Sequence, residues 1–203
     1  MQVYGATIVD YMEEKGWRLL QNVPGYEGIV RNNIEISNQP DYLVDSRLGD
    51  CQYSGDFAKW GDIRLDLISA YDSSETYKDL QDNVIYRSRS YQGNLKSFLQ
   101  SVVKVNKWGK IFDDIAFVLY FLYGGTIKTL SDVQCQPRKV ILLDVPKVRE
   151  MIENNWREMI AKRCLRFNSK KGTGDNFGSA FLALKPSQLY GCSLDVTTLM
   201  NEI

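Results

Sequence analysis

The chain has 203 residues, 44% apolar and 25% charged, enough to bury a substantial core and ordinary for a globular protein. Its 25 basic and 25 acidic residues cancel, so any attraction to nucleic acid must come from a local patch. There is no histidine, which excludes Ser-His-Asp and Cys-His catalysis, His-ligated zinc and His-dependent phosphodiester cleavage.

Residues 3–15 read as an amphipathic helix, with Ile8, Tyr11 and Met12 on one face and Asp10, Glu13 and Glu14 opposite. Lys15-Gly16 is its expected stop. A strand over 17–23 and a turn at Pro24-Gly25-Tyr26 follow, then extended pieces at 28–37 and 42–45. Residues 46–59, rich in Gly, Asp and Ser, read as a loop or hairpin tip. Residues 61–71 form a strand pattern, 72–82 a polar loop or helical turn, and 83–92 a strand with Arg87 and Arg89 on one face. After Gly93-Asn94, the spacing of Leu95, Phe98, Leu99, Val102 and Val103 predicts a helix over 95–105.

The most hydrophobic run, 112–123, is shorter than the roughly 20 residues of a membrane span. It therefore reads as a buried helix or strand ending at Gly124-Gly125. A strand at 139–143 follows, and Pro146 opens a helix over 147–164. A Gly-rich loop at 169–178, a strand at 179–185 and a turn at 186–189 complete the pattern. This order indicates an α+β (or α/β) protein with a mixed central β-sheet flanked by helices. No linker divides it, so a single domain is expected. The four cysteines are scattered singly, and the start Met-Gln-Val-Tyr-Gly-Ala does not have the form of a signal peptide. A cytoplasmic protein with reduced thiols is the expectation, with two disulfides as the alternative.

Within the 61–71 strand, Ile63, Leu65 and Leu67 alternate with Asp62, Arg64, Asp66 and Ile68 on the opposite face. Carboxylates on a largely apolar strand need a partner or a metal. A Gly-Asp at a strand start also serves simply as a turn. With no histidine, the metal chemistry that suits this chain is an oxygen-ligated divalent cation, Mg2+ or Mn2+.

The order helix, strand, Gly-Asp strand, strand, helix over residues 5–105 resembles the restriction-endonuclease-like (PD-(D/E)xK) nuclease superfamily. Gly61-Asp62-Ile63 stands where that family has its first acidic motif. The resemblance implies Asp62 as principal metal ligand, with Asp66 or Glu75 as a second acid and Glu13 or Glu14 as an accessory one. Lys78, Arg87 or Arg89 would be the cationic helper. Where the family carries Glu-x-Lys on the next strand, this chain has Tyr86-Arg87-Ser88-Arg89, so a non-catalytic nucleic-acid- or protein-binding module of the same fold is the alternative. DNA is the implied partner, in a protein of phage or mobile-element type whose oligomeric state the sequence leaves open, a homodimer being one option.

A second feature is the run from Arg157 to Gly174, with six basic residues against one acid. Read as the end of a helix running into a loop, it brings Lys162, Arg163 and Arg166 together, followed by Lys170 and Lys171. Such a stretch suits a phosphate backbone, although cations at a helix C-terminus also complement its dipole without any ligand. Tyr26, Tyr53, Phe57 and Trp60 cluster before the Asp62 strand, as base-stacking groups or as core and loop anchors.

Overall fold

Among the described residues the strands divide between two four-stranded sheets, and the chain divides with them into two units. The structure, a computed structural model, describes residues 11, 15, 16, 18–24, 49–54, 61–72, 77–125, 129–169 and 177–202. Its class is α+β, with helices accompanying the sheets. The first unit takes in residues 1–61, 114–146 and 191–203, and the second residues 62–113 and 147–190.

In the first unit, β1 (Gly49–Ser54), β4 (Phe117–Leu122), β5 (Lys139–Asp144) and β8 (Ser193–Asp195) lie in the order β1-β4-β5-β8. β1 runs parallel to β4 and the other pairs are antiparallel. Every residue of β4 is buried, as the length and apolarity of that run required. Phe117, Leu119, Phe121, Val140 and Leu142 form one core with Leu19, Leu20, Val23, Val196 and Met200. Residues 18–21 are helical, which corrects the strand expected over 17–23: Leu19, Leu20 and Val23 are all fully buried, a helical spacing. Lys15 and Gly16 are helical too, so they do not stop the helix. β1 corrects the loop expected over 46–59. Its sequence, Gly-Asp-Cys-Gln-Tyr-Ser, is a poor strand former, and its backbone pairing with β4 decides the outcome.

The second unit is antiparallel, with β3 (Lys104–Trp108), β2 (Ile63–Asp72), β7 (Phe177–Leu184) and β6 (Leu165–Ser169) in the order β3-β2-β7-β6. Leu65, Leu182 and Leu165 lie opposite one another across three strands and are buried, as are Ile68, Ala180 and Phe167 in the next row. Helix α1 (Tyr77–Ser88) packs on β6, where the buried Gln81 amide donates to the Leu165 carbonyl at 2.8 Å. This helix corrects the strand expected over 83–92. Leu80, Gln81, Val84 and Ser88 are the buried positions, and steps of three and four belong to a helix. Arg87 and Arg89 therefore share no strand face; Arg87 donates to the Ser101 hydroxyl at 3.4 Å and Arg89 lies in the turn beyond.

Helix α2 (Leu95–Val102) is capped by Asn94, whose side chain accepts from the Ser97 N–H at 2.8 Å. It buries Leu95, Phe98 and Leu99, and it ends earlier than predicted because Val103 turns extended and leads straight into β3. α3 (Leu130–Gln134) belongs to the first unit. α4 (Val145–Ala161) buries Val148, Ile152, Trp156 and Ile160, with Trp156 stacked on Phe98 at 5.0 Å. Pro146 lies in its first turn, where a missing N–H costs nothing. Residues 186–189 form a short 3-10 turn, as the sequence indicated.

Candidate nucleic-acid interface

The alternation predicted for β2 holds from Ile63 to Leu67, with Arg64 and Asp66 half-buried between fully buried neighbours. Beyond Asp66 the register against β7 shifts by a bulge, so Ile68 joins the core instead of the polar face. Gly61, at φ 63°, is in the left-handed region just before the strand, the turn role that a Gly-Asp pair allows.

Asp62 is 9% exposed and its carboxylate receives the Lys185 ammonium at 2.7 Å. The partner comes from the neighbouring strand, because the Ile63–Leu184 pairing sets residues 62 and 185 opposite each other. The compensation expected for this carboxylate is thus an ion pair. Asp66 is four residues further on, about 13 Å along an extended chain, too far for both carboxylates to ligate one cation. The shared Asp62–Asp66 metal site is therefore not formed. Among the described residues no three Asp, Glu or Cys groups come together as a metal site.

Asp66 has a different neighbour. Gly109 approaches the bulge so closely that a Cβ there would lie 2.1 Å from the Asp66 carbonyl oxygen, and its N–H donates to the Leu67 carbonyl at 2.9 Å. This contact fixes the chain after β3, and the adjoining Lys110 faces Asp66. Burial raises the Asp66 pKa and the Lys110 charge offsets part of the rise.

The segment Lys104-Val-Asn-Lys-Trp-Gly-Lys110, continuing through the 3-10 turn Lys110–Phe112, forms the edge of the sheet. Lys104, Asn106, Lys107 and Lys110 are exposed, while Trp108 and Phe112 are half-buried. The two rings meet edge to face at 5.2 Å. Lys96, from the first turn of α2, sets its ammonium 5.0 Å from the Trp108 ring centre and 5.5 Å from that of Phe112. Lys104 pairs with Asp72 at 3.4 Å, and Lys107 has no carboxylate partner among the described residues. The sequence reading missed this segment, although three lysines around a Trp with no acid among them is a legible signal.

The basic run at 157–171 takes another form from the one expected. α4 ends at Ala161. Arg163 adopts φ 58°, and the Arg163 and Cys164 N–H groups turn back to the Ile160 and Met159 carbonyls at 2.9 and 2.8 Å. This left-handed helix end sends the chain into β6, so Arg166 does not share a helix face with Lys162 and Arg163. Lys162 pairs with Glu158 at 2.5 Å and Arg163 with Asp82 at 3.5 Å, both in solvent. Arg166 lies opposite Phe181, itself opposite Asp66, so these three share the polar face of the sheet. The Arg64 guanidinium lies 5.0 Å from the Phe181 ring centre on that face.

Glu13, Glu14, Glu75, Lys170, Lys171, Tyr26, Phe57 and Trp60 lie outside the described residues, as do the Lys78 and Tyr53 side chains.

The neutral total conceals a strong segregation of charge. The second unit carries 17 Lys and Arg against 11 Asp and Glu, a net +6, and the first carries 8 against 14, a net −6. No family model, curated protein or solved structure matches the chain. No helix among the described residues is long and apolar enough to cross a membrane.

Proposed function

We propose that this chain binds nucleic acid, DNA in the first instance, through phosphate contacts made by its second unit. The observation that carries this reading is the net +6 on that unit, whose cations include Lys104, Lys107 and Arg166 on one antiparallel sheet and Lys110 in the turn after its edge strand. Cations clustered on one module attract a polyanion and release its counterions on binding. Edge lysines also discourage strand-to-strand association, but that role accounts for neither the surplus across the whole unit nor the aromatic pair beside them.

Metal-dependent hydrolysis is the second reading, favoured by the buried Asp62 carboxylate with its lysine 2.7 Å away, the charge types that phosphodiester cleavage employs. It needs Mg2+ or Mn2+ and a second acid from outside the described residues, for which Glu75 of the same unit is the candidate.

One titration separates the readings. A labelled DNA followed by anisotropy, with and without Mg2+ or Mn2+, shows salt-sensitive binding if the first holds. Cleavage lost in Asp62→Ala supports the second, and the absence of binding at low salt refutes both.

A further inference from the structure

Resting on the nucleic-acid reading above, we infer that Trp108 is a stacking platform for an unpaired base, so that the preferred ligand is single-stranded rather than duplex. Trp108 is half-buried on the edge strand, held edge to face by Phe112 at 5.2 Å and 77°, while Gly109 locks the following backbone onto β2. The ring is thus fixed in orientation before any ligand arrives. The Lys96 ammonium lies over both rings, 5.0 and 5.5 Å from their centres.

A lysine over a half-buried ring is a weak contact on a flexible stem, and a stacked base is a stronger one. A base therefore displaces the ammonium, which moves the short distance to the adjoining phosphate. Exposed Lys107 and Lys110, on either side of Trp108-Gly109, suit the phosphates before and after that base. A base within a duplex keeps its face against its neighbours and cannot occupy the ring, so the aromatic contribution is available only to a single strand.

The test is binding of a single-stranded oligonucleotide and its duplex at equal length by the full chain, alongside Trp108→Leu and Trp108→Phe, each checked for native circular dichroism. The single strand should bind wild type more tightly. Trp108→Leu should lose about tenfold on the single strand while changing duplex binding by no more than about twofold, and Trp108→Phe should recover most of the loss. Quenching of tryptophan emission by the oligonucleotide should fall in Trp108→Leu. Equal losses on both ligands, or none on either, would overturn the stacking role and leave phosphate binding standing. If wild type binds neither ligand, the nucleic-acid reading itself is wrong and this inference goes with it. An acidic protein bound in their place would identify the edge as a protein-docking surface.

Discussion

Replacing Gly109 with alanine probes the contact that orders the candidate interface. A Cβ at this position would lie 2.1 Å from the Asp66 carbonyl oxygen, 2.4 Å from its carbon and 2.8 Å from the Leu67 nitrogen. All three are backbone atoms of β2, so no side chain can swing aside and the two segments must separate. Separation breaks the 2.9 Å hydrogen bond from the Gly109 N–H to the Leu67 carbonyl, at about 1–3 kcal/mol if the groups stay unpaired. Overpacking adds roughly 1–3 kcal/mol. A loss of about 2–6 kcal/mol is a large part of the stability of a typical domain. Gly125→Ala is the matched control, because a Cβ there meets nothing within 4 Å, and it should stay within about 0.5 kcal/mol of wild type. Urea unfolding followed by circular dichroism measures both. Coincident midpoints for Gly109→Ala and Gly125→Ala would refute the close approach and the ordering of Trp108 and Lys110 derived from it.

Removal of Lys185 should expose the cost of the Asp62 carboxylate. Lys185→Met leaves a nine-tenths buried acid without its ammonium. The lysine side chain is 55% exposed, so the penalty should be about 1–2 kcal/mol, below that of a fully buried pair. The double variant with Asp62→Asn should recover most of it in urea unfolding, and additive losses would show that the pair is not coupled. Asp66 gives a pH signature. Its folded pKa is raised by burial, so its contribution to stability is complete below the unfolded carboxylate value of about 4 and is lost as pH rises through the folded value. Asp66→Asn should stabilise the protein at neutral pH and make no difference in acid. A destabilised Asp66→Asn at neutral pH would mean that attraction to Lys110 outweighs desolvation.

The elements read correctly from the sequence are those in which local pattern and tertiary environment agree. Strict alternation over 63–67, the apolar stripe of α2 and the Pro146 start of α4 are of this kind, whereas the apolar run of β4 announced burial but not whether it was helix or strand, which its pairing with β1 and β5 decides. Tyr86-Arg87-Ser88-Arg89 misled because its polar alternation imitates a strand, whereas the buried set Leu80, Gln81, Val84 and Ser88 decides for a helix. β1 has almost no local strand signal and exists through its pairing with β4. Asp62 was legible as a carboxylate requiring compensation. Its partner was not, since Lys185 arrives only through the β2–β7 register. The Lys110 neighbour of Asp66 depends likewise on a bulge and a glycine contact that no spacing announces. The helical end expected at 162–166 failed at Arg163, where a left-handed turn made by a residue other than glycine ends α4.

Charge segregation onto the second unit is the central claim, and the salt dependence of DNA binding tests it most directly. Plotting the logarithm of affinity against that of salt between about 50 and 200 mM gives a slope set by the number of phosphates engaged. The variant Lys104→Ala/Lys107→Ala/Arg166→Ala should bind more weakly at every concentration, with a slope shallower by about 2–3. An unchanged slope and affinity would contradict the account, because the phosphates would then be held elsewhere on the molecule.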